Sequence, residues 1–147
     1  MIHAQNDKVV ADLPTGTTAS SGTATLTIDT QGYNYASVAV MRASNASTVF
    51  ASVLKVEESD DNSSYSNVAP FVLGGTGGFT LPAISAAGTA ATSIVKMDVD
   101  CKARKRYLKV SCTPSTAVNV AMSARLSRGE EFPASASDAN VLGWVKG

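Results

Sequence analysis

Histidine and cysteine are nearly missing from this chain: there is one His, His3, and there are two Cys, Cys101 and Cys112. Nucleophilic and acid/base catalysis usually draw on such side chains, and zinc sites need them at close spacing, so the common routes to those chemistries lack their parts. Serine is plentiful, but a serine nucleophile needs a base, and His3 in an extended tail is a poor one. Charge is sparse at 16% of residues, and the 12 basic and 12 acidic side chains cancel. That balance removes the overall positive field expected of a non-specific nucleic-acid or anionic-membrane binder. Aromatics make up only 6%. No stretch approaches the roughly 18 consecutive apolar residues of a membrane span. The opening MIHAQNDKVVADLP has no basic stretch followed by an apolar one, so neither export by such a leader nor membrane insertion is expected. Catalytic residues, cofactors and metal ligands are all expected to be absent, which leaves a structural or binding protein.

What remains is ample for one domain, since 147 residues with 44% hydrophobic content can enclose a real core. Apolar residues alternate with polar ones, the period of half-buried strands. Ala24, Leu26 and Ile28 share one face, as do Ala36, Val38 and Val40, with Gly32 marking a turn between the two runs. Phe50, Leu54 and Val56 follow, then the turn Ser59-Asp60-Asp61-Asn62-Ser63 and a return strand beginning at Tyr65 and Val68. Val95, Met97, Val99 and Cys101 face Leu108, Val110 and Cys112 in what reads as a second hairpin, with both thiols on the apolar face and too far apart for a disulfide. Val118, Val120, Met122, Ala124 and Leu126 complete a last strand. The expected fold is all-β, an antiparallel β-sandwich of jelly-roll type spanning 17–126, with an N-terminal arm at 1–16 and a C-terminal arm at 127–147. One short helical turn is allowed near Ser137 to Leu142, capped by Ser137 or Asp138.

Several clusters invite a chemical reading. Glu57, Glu58, Asp60, Asp61 and Asn62 crowd oxygen atoms together, yet the spacing lacks the glycine and terminal glutamate of a helix-loop-helix calcium site, and a solvated turn is the plainer reading. Gly74-Gly75-Thr76-Gly77-Gly78 lacks the Gly-Lys-Ser/Thr ending of a phosphate loop, so it reads as part of a long excursion over 74–93 anchored by Phe79 and Leu81. The triplets Asn45-Ala46-Ser47 and Asn62-Ser63-Ser64 read as turns. Lys102, Arg104, Lys105 and Arg106 form a basic turn suited to protein contact, with Tyr107 the single aromatic nearby for stacking a base. Phe132, Leu142 and Trp144 are apolar points on the C-terminal arm, free either to pack back on the same subunit or to dock on a neighbour.

Three segments, Tyr35-Ala36-Ser37-Val38, Leu54-Lys55-Val56-Glu57-Glu58-Ser59-Asp60-Asp61 and Lys105-Arg106-Tyr107-Leu108-Lys109-Val110, resemble small β-rich virion proteins encoded beside the capsid genes of tailed bacteriophages. In those proteins an ESDDG hairpin precedes a KRYLRV strand, and the resemblance covers about residues 30 to 126. Asn62 stands where glycine is common, a change the turn tolerates because Asn also visits positive φ. The resemblance implies a head decoration or cement protein made in the bacterial cytoplasm. Such a protein binds the capsid exterior, often as a homotrimer, and clamps adjoining subunits of the major capsid protein, with no nucleic acid or membrane as partner. A tail or head-fibre adhesion module, or a carbohydrate-binding module on the virion surface, is the alternative. The expected contact residues are Phe79, Leu81, Lys102, Arg104, Lys105, Phe132, Leu142 and Trp144, and the acidic and basic turns are expected to pair between subunits.

Overall fold

A computed structural model describes residues 6–12, 14, 16–84, 93–129 and 133–144. Eight strands appear in chain order: β1 (Lys8–Asp12), β2 (Ala24–Asp29), β3 (Tyr33–Arg42), β4 (Ala51–Ser59), β5 (Ser66–Val72), β6 (Ile94–Asp100), β7 (Tyr107–Pro114) and β8 (Val120–Gly129). They form two four-stranded antiparallel sheets, ordered β1-β8-β3-β6 and β2-β7-β4-β5. That order is the jelly roll, two interleaved Greek keys whose successive strands mostly alternate between layers.

The alternation read from the sequence sets the two faces. Leu26, Ile28, Leu54, Val56, Val68, Leu108, Val110 and Cys112 from one sheet meet Ala36, Val38, Val40, Met97, Val99, Met122, Ala124 and Leu126 from the other. Each fully buried Leu, Ile or Val of this set contributes roughly 1.5–3 kcal/mol through removal from water. The register agrees along the central ladder: Val38 of β3 lies opposite Ala124 of β8 and Met97 of β6, so all three point into the core together.

Strand partners differ from the sequence reading in one respect. The 95–112 segment is not a hairpin: β6 pairs with β3, while β7 pairs with β2 and β4 in the other sheet. A 3-10 turn at Cys101–Ala103, its start capped by Asp100 accepting from the Lys102 amide at 3.0 Å, carries the chain across the sandwich. Period-two alternation fixes which side chains point inward and is silent on which strand lies alongside. The runs flanking Gly32 likewise lie in different sheets. The hairpin at 53–68 does form, with Glu57 opposite Asn67 and Glu58 opposite Ser66.

The domain edges also move. Lys8–Asp12 lies in the sheet as β1, and β8 continues to Gly129, so the sandwich begins earlier and ends later than 17–126. Both cysteines are free and buried, and desolvation pushes each thiol up to about 11.

Candidate attachment surfaces

One end of the sandwich is closed by charge. The turn after β4 is built by Asp61, whose carboxylate accepts from the Ser64 amide at 2.8 Å, the Ser59 hydroxyl at 2.7 Å and the Ser63 amide at 2.9 Å. Those hydrogen bonds, the one from Ser64 first, hold its carboxyl well below the usual range. Asn62 takes φ 58 and receives the Tyr65 hydroxyl, which is the Asn-for-Gly tolerance expected of the turn.

Because Ser59 of β4 lies opposite Tyr107 of β7, the acidic turn and the basic turn meet within a single chain. Lys105 Nζ is 3.0 Å from Asp60, Arg104 is 3.6 Å from Glu58, and the Lys105 amide donates to Glu58 at 3.1 Å. Pairing between subunits is therefore corrected to pairing inside one subunit. Lys102 and Arg128 carry their charges 5.5 Å and 5.3 Å from the centroid of the Tyr35 ring. The carboxylates of Glu57, Glu58, Asp60 and Asp61 are taken up by lysines, an arginine and turn amides. Among the described residues no three His, Cys, Asp or Glu groups converge on a point that could hold a metal ion.

The opposite end is apolar. Arg42, at the end of β3 and almost fully buried, donates to the carbonyls of Val49 at 2.7 Å, Phe50 at 3.1 Å and Ser47 at 3.2 Å, and to Asn45 Oδ1 at 2.8 Å. Asn45 in turn accepts from the Ser47 amide at 2.9 Å, so this triplet is an Asx turn wound around a guanidinium. The loop so fixed presents Val49, 53% exposed. Across from it the glycine segment doubles back: the Gly74 amide donates to Phe79 and the Phe79 amide to Val72, at 2.9 and 3.2 Å. Glycine is needed at Gly78, where a Cβ would collide with the Val72 carbonyl.

Phe79, Leu81 and Ile84 then pack partly against the core, and the Ile84 amide closes onto the Thr48 carbonyl at 2.8 Å. Between these walls lies a groove of about 430 Å³ bounded by Val49, Phe50, Leu73, Leu81 and Pro82. A smaller one of about 250 Å³ runs on from Leu81 and Pro82 to Ile94. Sequence reasoning singled out Phe79 and Leu81 but missed Val49, Val53 and Ile94. The exposed apolar parity of Val49 and Val53 was the available signal. Both are opposite in parity to the inward Phe50, Leu54 and Val56, and the register shift between Ala51 and Val53 falls where Ala51 departs from that alternation and is buried.

The third surface is the C-terminal segment. Ser135 Oγ accepts from the Asp138 amide at 3.2 Å and Asp138 accepts from the Ser135 amide at 3.1 Å, a reciprocal capping box. One helical turn follows, closed by Asn140 at φ 59 with the Asn140 amide on Ser137 and the Val141 amide on Ala136. The helical turn expected at 137–142 thus sits two residues earlier, with Ser135 as its cap. This turn buries Ala139 against β1. Trp144 is half-buried beside Asp7, Val9 and Arg125, so the tryptophan packs back on its own subunit, while Leu142 is fully exposed. Phe132 lies outside the described residues. The contact residues expected from the sequence are thereby dispersed: Phe79 and Leu81 at the apolar end, Lys102, Arg104 and Lys105 at the charged end, Leu142 and Trp144 along the β1 side.

No family model matches this sequence, and no curated protein matches it. Among solved structures the chain is similar to the carbohydrate-binding module CBM32-1 from a family 31 glycoside hydrolase of Clostridium perfringens. The two share 15% identity over 82% of this chain and 94% of that one, with a TM-score of 0.42. A likeness at that level carries no weight for what this chain binds, and the architecture stands on its own strand order.

Proposed function

We propose that this chain is a non-catalytic attachment block, a decoration protein that binds the outside of an assembled phage head and stabilises it by adding contacts across neighbouring capsid subunits. The observation that carries the reading is the apolar end: Val49 and Ile94 are exposed beside two adjoining grooves that share Phe50, Leu81 and Pro82. Exposed aliphatic side chains gathered beside an apolar groove favour a protein partner. The resemblance to phage virion proteins supports a capsid protein as that partner. The segments carrying it fall on β3, β4 and β7, strands that brace the block.

Rigidity suits the task, because a surface already fixed by Arg42 and the glycine turn loses little conformational entropy on docking. A stable contact of this kind needs roughly 1,200–2,000 Å² in total, so the groove would be the centre of a larger footprint. The test is addition of purified chain to undecorated heads and, separately, to unassembled capsid subunits. Stoichiometric binding to heads alone, with gained resistance to heat or osmotic shock, supports the reading, and heads that gain neither density nor resistance end it.

A second reading is a virion-surface carbohydrate-binding module. The outer face of the β2-β7-β4-β5 sheet aligns Thr27, Lys109, Glu57 and Asn67 in one cross-strand row, with Lys109 Nζ 4.1 Å from the centroid of the Tyr65 ring. Polar side chains beside an aromatic ring are what a sugar site offers. Against it, Glu57 is already bound by Lys55 at 3.0 Å and Lys109 at 3.1 Å, and Lys109 occupies a face of Tyr65. Binding on a glycan array that disappears in Tyr65→Ala would establish this second reading, and an array without hits would remove it.

A further inference from the structure

The sandwich leaves its sheet edges in different states. On β1 the backbone of Val9 is satisfied from outside the sheet, its amide donating to Ala139 at 2.9 Å and its carbonyl accepting from Asn140 Nδ2 at 2.7 Å. On β5 the edge contains Pro70 and its pairing with β4 shifts register between Lys55 and Glu57. Pro and irregular pairing are the usual devices that blunt an edge. Edge strand β2 carries Thr25 and Thr27 on its exposed face and no charge before Asp29, so it has little to select a register.

Strand β6 is different. It is seven residues, Ile94–Asp100, without Pro or Gly, regularly paired with β3 through all seven positions from Tyr35–Asp100 to Met41–Ile94. Among the described residues no backbone hydrogen bond reaches its other side. Val95, Met97 and Val99 point inward while Ile94, Lys96, Asp98 and Asp100 point outward. Such an edge is a template for another strand.

We infer that β6 pairs with β6 of a second copy, antiparallel about a two-fold axis at Met97, joining two four-stranded sheets into one of eight strands. The register follows from charge. Residues directly opposite in an antiparallel pair share a face, so on a two-fold axis the pairing must be centred on a residue. Centring on Met97 sets Lys96 against Asp98 of the other copy twice, and Val95 against Val99 twice. Centring on Lys96 would oppose the two lysines, and centring on Asp98 or Val99 would bring aspartates face to face. Opposite charges directly across a ladder stabilise it and like charges oppose it. The centre at Met97 is thus the register with opposed unlike charges and without opposed like ones. In the free chain Lys96 and Asp98 satisfy each other at 2.7 Å and are both well exposed, so exchanging one such pair in each copy for two intermolecular ones costs little.

This inference does not depend on the decoration reading, and its test needs no phage component. Sedimentation equilibrium of the full chain should show a reversible approach to twice 15.1 kDa. Lys96→Asp should weaken the association roughly tenfold or more, about 1.4 kcal/mol per tenfold. The exchanged double variant Lys96→Asp with Asp98→Lys should restore it, and circular dichroism should report an unchanged fold in both. The register is read independently by oxidation. A mixture of Lys96→Cys and Asp98→Cys chains should form a disulfide between unlike chains, because those positions are directly opposed, and neither variant alone should cross-link to a comparable extent. A monomer at every concentration, a trimer, an association indifferent to Lys96→Asp, or cross-linking equal in the unmixed variants would each overturn the proposal.

Discussion

Asn140 donates through Nδ2 to the carbonyl of Val9 at 2.7 Å, across 131 positions of sequence, and so fastens the C-terminal turn to the first strand. The same residue holds φ 59, closing the turn that sets Ala139 against the Val9 amide. One side chain therefore carries a backbone conformation and a tertiary hydrogen bond together.

These two contributions separate by substitution. Asn140→Gly keeps the left-handed backbone and loses the hydrogen bond, an expected cost of about 1 kcal/mol. Asn140→Ala loses both, adding about 1–2 kcal/mol for a Cβ in the left-handed region. Urea denaturation midpoints should fall in the order parent, Gly, Ala, and equal midpoints for Gly and Ala would show that the turn is not held as described.

Arg42 is a buried cation whose neighbours are carbonyls and an amide oxygen, and burial pushes its guanidinium below its ordinary value. Arg42→Met fills similar space but takes away the donor to the carbonyls of Phe50 and Ser47, while the Val49 carbonyl keeps the hydroxyls of Ser47 and Ser115. An expected loss of about 2–4 kcal/mol follows, since each orphaned buried acceptor costs about 1–3 kcal/mol. Denaturant titration measures it. Nuclear magnetic resonance should place the largest backbone changes in residues 43–50, and changes spread evenly over both sheets would contradict the assignment.

The acid limb of stability follows from Asp29 and Asp61. Hydrogen bonds from Arg106 hold Asp29 below the usual range, and those from Ser64, Ser59 and Ser63 do the same for Asp61. A carboxyl depressed in the folded state stabilises fully above its unfolded value, about 3.9, and loses that contribution as pH falls through the folded value. Thermal midpoints should hold near neutrality and decline below about pH 4. Asp61→Ala should lower the midpoint at neutral pH and flatten the acid decline. An Asp61→Ala curve parallel to the parent at every pH would contradict this.

Both thiols are raised to about 11 by burial, Cys112 being fully enclosed and Cys101 nearly so. A thiol reagent at neutral pH should label neither in the native protein and both after denaturation. Rapid native labelling of either would place it outside the core.

Much of this fold was legible because alternation is a direct consequence of strand geometry: residues from Leu26 to Leu126 fell on the faces that their parity assigned. Pairing was not legible in the same way. Met97 and Val110 each declare an inward face, and nothing in their spacing says that a 3-10 turn at Cys101 sends them to different sheets. The charged turns were read as opposite in sign, and their meeting within one chain depends on β4 lying beside β7. Val49 and Ile94 escaped notice because a single exposed aliphatic is ordinary in sequence and becomes informative only when the fold gathers it with Leu81 and Pro82.

The measurement that bears most directly on the attachment reading is a binding isotherm on undecorated heads for the parent chain and for Val49→Glu. Val49 is 53% exposed, so a carboxylate there leaves the core intact, and matching denaturation curves would verify that. The expected result is saturable binding by the parent and a loss of tenfold or more in affinity for the variant, about 1.4 kcal/mol per tenfold. Heads that bind neither chain, or both equally, would contradict the account.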